Sequence, residues 1–96
     1  MKWMETIRVQ SATGKDQTTL RELIFLKSEI KRDFGFQGLR DVMVSSHVSI
    51  PGCFVLMLFW DTDNPQAKGS PIGMSLAQSL KNFGLVDHSV WIENHK

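Results

Sequence analysis

The stretch CFVLMLFWD, residues 53–61, places eight apolar side chains in a row before the first charge. Successive side chains of a β-strand point to opposite faces of the sheet. One face of this segment would carry Cys53, Val55, Met57 and Phe59, and the other Phe54, Leu56, Leu58 and Trp60. A strand that is apolar on both faces is typical of the centre of a sheet that is covered on both sides.

Length and composition predict one ordinary globular domain over residues 1–96. Hydrophobic residues at 42% and charged residues at 22% lie close to globular averages. Eleven basic and ten acidic side chains leave a charge of +1, which argues against a nucleic-acid or anionic-membrane partner. The opening MKWMETIRV lacks the apolar core of a signal peptide, and no apolar run approaches the roughly 20 residues of a membrane helix. We therefore expect a cytoplasmic protein.

The first third of the chain predicts a strand followed by a helix. Residues 4–10 alternate between Met4, Thr6, Arg8, Gln10 on one side and Glu5, Ile7, Val9 on the other, the period of a strand. The segment Thr19 to Glu22 fits a capping box and predicts the start of a helix. Gly35 predicts its end. The apolar positions of this helix fall on one stripe: Leu20, Leu23, Ile24, Ile30 and Phe34.

The middle of the chain predicts a hairpin. Residues 39–50 read as an amphipathic strand, with valines and Ile50 on one face and Met43, Ser45, His47 and Ser49 on the other. Pro51 and Gly52 are the residues that a type II turn prefers. The chain should therefore fold back directly into residues 53–60.

The last third predicts a second helix and a fourth strand. Ser70 is a good N-cap, and Pro71 suits the first helical position. Gly84 predicts the helix end, and residues 86–93 alternate as a strand. The helical stripe comprises Ile72, Leu76, Ala77, Leu80 and Phe83. The polar end, including His95, follows this strand.

The order β-α-β-β-α-β predicts an α+β, ferredoxin-like sandwich, a four-stranded antiparallel sheet with both helices on one face. Its central third strand would then have one apolar face without a helix. Leaving four such side chains in water would forgo roughly 1.5 to 3 kcal/mol each, against a total stability of about 5 to 15 kcal/mol. We therefore predict a homodimer in which two sheets pack face to face.

Three segments in this order resemble the dimeric α/β-barrel superfamily, in particular the antibiotic biosynthesis monooxygenase-like (ABM-like) proteins. They are LMLFWD (56–61) with Trp60 at its end, SPIGMSLAQSLKNFG (70–84) and GLVDHSVWIE (84–93). The resemblance implies a dimeric barrel whose cavities hold small molecules, some of which are oxidised by O₂ without metal or flavin and others simply bound.

Haem degradation, a further activity in this superfamily, is disfavoured. The resemblance implies that it needs an asparagine on the first strand and a histidine on the second helix beside the third-strand tryptophan. Only Trp60 matches here. The expectation is therefore a protein without a cofactor. Cys53 is expected to be a small buried hydrophobe, and no cysteine or histidine spacing predicts a metal site.

The candidate site residues are polar groups on the predicted strands. Arg8, Ser45, His47 and Ser49 occupy wetter registers, and they would converge in a barrel cavity if those registers face inward. There Arg8 could hold a carboxylate or enolate oxygen, and His47 could remove a proton. Solvent-facing or cross-strand-paired side chains are the alternative for these four residues.

Two further candidates lie in drier positions. His88 occupies the drier register of the last strand, where it is either a second general base or a hydrogen-bonded core histidine. Trp60 is either a pocket wall or a packing residue. Gly69, Gly73 and Gly84 match no phosphate-binding motif and predict caps and close packing.

Two functions remain open at the level of the sequence. The first is a cofactor-free, monooxygenase-like enzyme acting on a small aromatic or polyketide-like molecule, with Arg8, His47 and His88 as catalytic candidates and Trp60, Ser45 and Ser49 as ligand contacts. The second is a non-catalytic small-molecule-binding or regulatory module of the same fold.

Overall fold

The computed structural model describes residues 1–94, apart from the side chains of residues 34 and 36. The predictions for the Phe34 side chain and for His95 lie outside these described residues. The strands are β1 (Lys2–Ser11), β2 (Leu39–Ser46), β3 (Cys53–Asp61) and β4 (Gly84–Ile92), and the helices are α1 (Asp16–Phe34) and α2 (Pro71–Leu80). A short 3₁₀ turn, Gly35–Gln37, follows α1.

The four strands form one antiparallel sheet in the order β2-β3-β1-β4. Both helices contribute to a core on one side of this sheet, as the ferredoxin-like prediction requires. The predicted central position of β3 is confirmed, since β3 pairs with both β1 and β2. The core includes Ile7, Val9, Leu23, Ile30, Leu56, Leu58, Leu76 and Leu80.

The sheet has two distinct faces. The helix face is buried and carries, from the two central strands, Trp3, Glu5, Ile7, Val9, Phe54, Leu56, Leu58 and Trp60. The open face carries the alternate residues of all four strands. From the strand pairing these include Met4, Thr6, Arg8, Gln10, Asp41, Met43, Ser45, Cys53, Val55, Met57, Phe59, Leu85, Asp87, Ser89 and Trp91.

Two local predictions are confirmed by backbone geometry. At the β2–β3 turn Gly52 takes φ +74°, which favours glycine, and the Cys53 amide donates to the Ile50 carbonyl oxygen over 3.3 Å. At α2 the Ser70 Oγ accepts a hydrogen bond from the Gly73 amide at 3.0 Å, with Pro71 in the first turn.

The start of α1 differs from its prediction. The helix begins at Asp16, before the proposed capping box, because the Thr19 hydroxyl donates to the Lys15 carbonyl oxygen at 2.8 Å instead of accepting from an amide. Within the predicted stripe, Leu23 and Ile30 are buried as expected, whereas Ile24 is 52% exposed.

The ends of β2 and α2 also differ. β2 stops at Ser46, since the next residue, His47, accepts two amide hydrogen bonds and bends the chain. α2 ends at Leu80, and Gly84 begins β4. There a Cβ would collide with the Gln10 carbonyl oxygen, so close packing rather than a helix stop explains this glycine. No helix in the described part of the chain is long and apolar enough to cross a membrane.

Candidate functional site

Arg8 and Ser45 lie on the open face. Strand pairing places Ser45 opposite Val55, Val55 opposite Arg8, and Arg8 opposite Asp87, in one row across the sheet. The Arg8 guanidinium lies 3.8 Å from the Asp87 carboxylate, and both side chains are 63% exposed. This row borders a shallow groove of about 540 Å³.

His47 and Ser49 lie in the β2–β3 hairpin rather than on a strand. The Nδ1 atom of His47 accepts hydrogen bonds from the amides of Ser49 and Ile50, both at 3.0 Å. Because Nδ1 accepts, the neutral ring carries its proton on Nε2. In this arrangement the exposed imidazole stabilises the hairpin.

His88 and Trp60 both lie on the helix face, opposite to Arg8 and Ser45. β1 brings them together through a residue that was not among the candidates, Glu5. Glu5 Oε1 accepts from the Trp60 indole N–H at 2.9 Å, and Glu5 Oε2 lies 2.8 Å from His88 Nε2. We call these three side chains the Glu5 cluster.

Burial gives the Glu5 cluster its electrostatic character. The Glu5 side chain is fully buried, and that of His88 is 15% exposed. A buried carboxylate is costly unless its oxygens are hydrogen-bonded. Each oxygen of Glu5 has one hydrogen-bond partner, so removing Trp60 or His88 would leave a buried carboxyl oxygen without one.

Two glycines at the start of α2 close over the cluster. Gly69 takes φ +99°, and a Cβ there would meet the His88 ring. A Cβ on Gly73 would lie 2.7 Å from Glu5 Cδ and closer still to Oε2. The first turn of α2 therefore packs directly on the carboxylate, where the helix dipole favours negative charge.

Trp60 also stacks on Trp3. The two indole rings are 5.5 Å apart between centroids at an interplanar angle of 15°. The Trp3 indole N–H donates to Thr62 Oγ1 at 2.8 Å, so both indole nitrogens are held. The pair is a rigid aromatic wall at the end of the sheet.

A cleft of about 420 Å³ opens beside this wall. Such a volume is in the usual range for a small-molecule site, and the polar groups around it are hydroxyls, amides and one carboxylate. Its lining includes Trp3, Trp60, Asp63, Asn64, Ser70 and Ile72. Because Trp60 borders the cleft and bonds to Glu5, hydrogen bonds connect the cleft wall to His88. The described residues contain no group of three His, Cys, Asp or Glu side chains suited to a metal ion.

Sequence reasoning missed Glu5, although a signal was present. Glu5 occupies the same register of β1 as Ile7 and Val9, which is the dry one. A carboxylate in a dry register requires donors. Trp60 and His88, in the dry registers of β3 and β4, are the donors that the sequence offers.

Comparison with known proteins gives a consistent fold. No protein-family model and no curated protein sequence matches the chain. Solved structures do match the chain. Rv0793 from Mycobacterium tuberculosis is 16% identical with a TM-score of 0.67, covering 100% of this chain and 98% of that one.

Two further structures carry descriptions of activity. A candidate antibiotic biosynthesis monooxygenase from Deinococcus radiodurans is 18% identical with a TM-score of 0.66, covering 100% of this chain and 95% of its own. A variant of SnoaB, a cofactor-independent oxygenase from Streptomyces nogalater, is 10% identical with a TM-score of 0.70, covering 99% and 95%. At these identities the similarity shows the fold alone, and this chain shares the ferredoxin-like fold of these three structures.

Proposed function

We propose that this protein is a homodimer that binds a small aromatic or polyketide-like molecule in the cleft beside Trp3 and Trp60. The observation that carries the proposal is the rigid indole pair next to a cleft of about 420 Å³. Trp3 and Trp60 are each 4% exposed, so a planar ring would pack against the small part of the indoles that borders the cleft, and the nearby hydroxyl and amide groups can orient its substituents.

A cleft-filling variant tests the binding site. Ile72 lines the cleft, whereas Met74, two residues further along α2, is 46% exposed and does not. We expect hydroquinones, dihydroxynaphthalenes and aromatic polyketides to include compounds that raise the thermal midpoint of the wild type. Ile72→Trp should abolish that stabilisation, and the matched variant Met74→Trp should retain it. Stabilisation that is equal in both variants, or absent from the wild type, refutes the site.

The dimer is proposed from the open face. Its rows include Met43 paired with Met57, and Phe59 paired with Met4. At the edge strands Trp91 is 56% exposed and Leu85 is 79% exposed. The apolar side chains of this face, which lie among polar ones such as Arg8 and Asp87, would be covered best by a second copy of the same sheet.

Light scattering tests the dimer with a matched pair of substitutions. Trp91 on the open face and Phe25 on the outer side of α1 have nearly equal exposure, 56% and 57%. We expect twice the mass of one chain for the wild type and Phe25→Asp, and the mass of a single chain for Trp91→Asp. A monomeric wild type at micromolar concentration contradicts the proposal.

A second candidate function is a monooxygenase-like reaction that needs no cofactor. The buried Glu5–His88 pair favours it, because a histidine backed by a carboxylate is suited to removing a proton. In such a reaction the deprotonated ligand itself supplies the electrons to O₂, and one oxygen atom leaves as water. SnoaB, with the same fold, is described as a cofactor-independent oxygenase.

The buried thiol of Cys53 forms no disulfide, in keeping with the cytoplasmic compartment that we also propose.

Oxygen uptake separates the two functions. For every compound that binds, O₂ consumption is measured with the wild type, His88→Ala and His47→Ala. Uptake that is lost with His88→Ala while binding persists supports the enzymatic candidate and assigns the base. Binding without uptake by any of the three proteins leaves the binding module as the function.

A further inference from the structure

Both carboxyl oxygens of the fully buried Glu5 have a hydrogen-bond partner: Oε1 accepts from the Trp60 indole N–H, and Oε2 lies 2.8 Å from His88 Nε2. An ionised carboxylate only accepts hydrogen bonds. For an ionised Glu5, the proton between Glu5 Oε2 and His88 Nε2, which are 2.8 Å apart, therefore belongs to Nε2. A neutral imidazole has one N–H group, so Nδ1 of His88 is left with a basic lone pair.

This lone pair has access to the surroundings of the protein. No hydrogen bond joins Nδ1 of His88 to any residue that the structure describes. Among the described residues, Ser11 Oγ is the only fully buried side-chain N or O atom without a hydrogen-bond partner. Because Nδ1 of His88 also has no partner, it is not fully buried. A ring held from behind by a carboxylate, with its other nitrogen free, is the arrangement of a general base and its orienting partner.

We propose that Glu5 is a positioning residue that keeps the proton of His88 on Nε2 and thereby presents Nδ1 as the proton acceptor. A ligand that contacts Nδ1 with an acidic O–H or C–H group would transfer its proton there, and Glu5 would stabilise the imidazolium formed. His88 itself does not line the cleft beside Trp3 and Trp60. The role in catalysis rests on the enzymatic candidate function. The position of the proton, however, is a property of the ligand-free protein.

The substitution Glu5→Gln makes the inference testable because Trp60 decides how the new amide is oriented. The indole N–H of Trp60 can only donate, so it requires the amide oxygen of the glutamine. The amide NH₂ group must then face His88 Nε2. That nitrogen has to become an acceptor, and the proton of His88 moves to Nδ1. Glu5→Gln should thus reverse the tautomer of His88 while the side chain at position 5 keeps nearly the same shape.

Long-range ¹H–¹⁵N correlation NMR measures the tautomer directly. Spectra are recorded at about pH 9, above the ordinary titration range of histidine, with His88→Asn to assign the signals. We expect a protonated Nε2 and a free Nδ1 for His88 in the wild type, and the reverse in Glu5→Gln. His47 is an internal reference, because its Nδ1 accepts two amide hydrogen bonds and should keep the Nε2–H form throughout.

A second variant separates positioning from a general structural effect. In Glu5→Gln/Trp60→Phe the indole donor is gone, so the amide can face His88 with either its oxygen or its NH₂ group, and the signals of the Nε2–H tautomer should reappear. A wild-type His88 with its proton on Nδ1 overturns the proposal, as does an unchanged tautomer in Glu5→Gln. Because these spectra need neither ligand nor O₂, they report on Glu5 even if no substrate is ever oxidised.

Discussion

The contact between α2 and Glu5 predicts that Gly73→Ala is strongly destabilising. The added Cβ would lie 2.7 Å from Glu5 Cδ and 3.0 Å from Oε1, and Oε2 would be closer still. Such distances are well inside ordinary contact, so either α2 moves or the carboxylate leaves its two partners. A rotation of the Glu5 side chain away from this Cβ would break its bonds to Trp60 and His88.

The size of the effect follows from those two bonds. A hydrogen bond to a charged group contributes about 1.5 to 3 kcal/mol, so losing both costs about 3 to 6 kcal/mol. Alanine has a higher helix propensity than glycine, which offsets about 1 kcal/mol of this loss. We expect a net loss of about 2 to 5 kcal/mol, a large part of the stability of a domain of this kind.

Urea unfolding followed by far-ultraviolet circular dichroism measures this loss at equal protein concentration. With an m-value of about 1 kcal/mol/M, the midpoint should fall by at least about 2 M. Gly35→Ala is the matched control, because Gly35 has a helical φ of −58° and no atom beyond its neighbours lies near its added Cβ. That variant should be as stable as the wild type or slightly more so.

Two results would refute the reasoning. One is a Gly73→Ala variant as stable as Gly35→Ala, which would mean that the carboxylate moves aside at no cost. The other comes from the Glu5→Ala background, where the colliding group is absent and Gly73→Ala should no longer destabilise. An equal loss in both backgrounds would place the strain elsewhere in α2.

Two further predictions concern stability. Ser70→Ala removes the oxygen that accepts from the Gly73 amide and should lower the free energy of unfolding by about 1 kcal/mol, measured by urea unfolding against exposed Ser75→Ala. A hydrogen bond from Lys31, then one from the Val42 amide, lowers the pKa of Asp41. A carboxyl group whose pKa is lower in the folded state stabilises the protein at pH values above its unfolded-state pKa. The wild type should therefore have a higher thermal midpoint than Asp41→Asn near neutral pH. That difference should vanish as the pH falls below about 4 and through the lowered pKa, as thermal midpoints against pH will show.

Much of the fold could be predicted because its signals are local. Pro51 and Gly52 specify a turn by their own φ angles, and Ser70 and Pro71 specify a helix start within four residues. The start of α1 was harder, since the Thr19 hydroxyl can either cap a helix or donate to the preceding turn. Which of these two hydrogen bonds the Thr19 hydroxyl forms cannot be read from the residue type alone.

The candidate site was less predictable because it depends on which face each strand presents. Arg8 and His88 belong to neighbouring strands, yet a difference of one residue in register places them on opposite faces. His47 was expected on β2, but its ring bonds to two amides of the hairpin. Neither outcome is encoded in the residue type alone.

The position of β1 in the sheet has a consequence for how the site is assembled in time. Glu5 bonds to Trp60, 55 residues later in the chain, and to His88, 83 residues later. Contacts between residues so distant in sequence form late and slow the folding of a domain. On the ribosome, β1 emerges first but has no partner strand until β3 is made. The carboxylate cannot contact both Trp60 and His88 until β4 has also left the exit tunnel, so the cluster forms only after all four strands have been made.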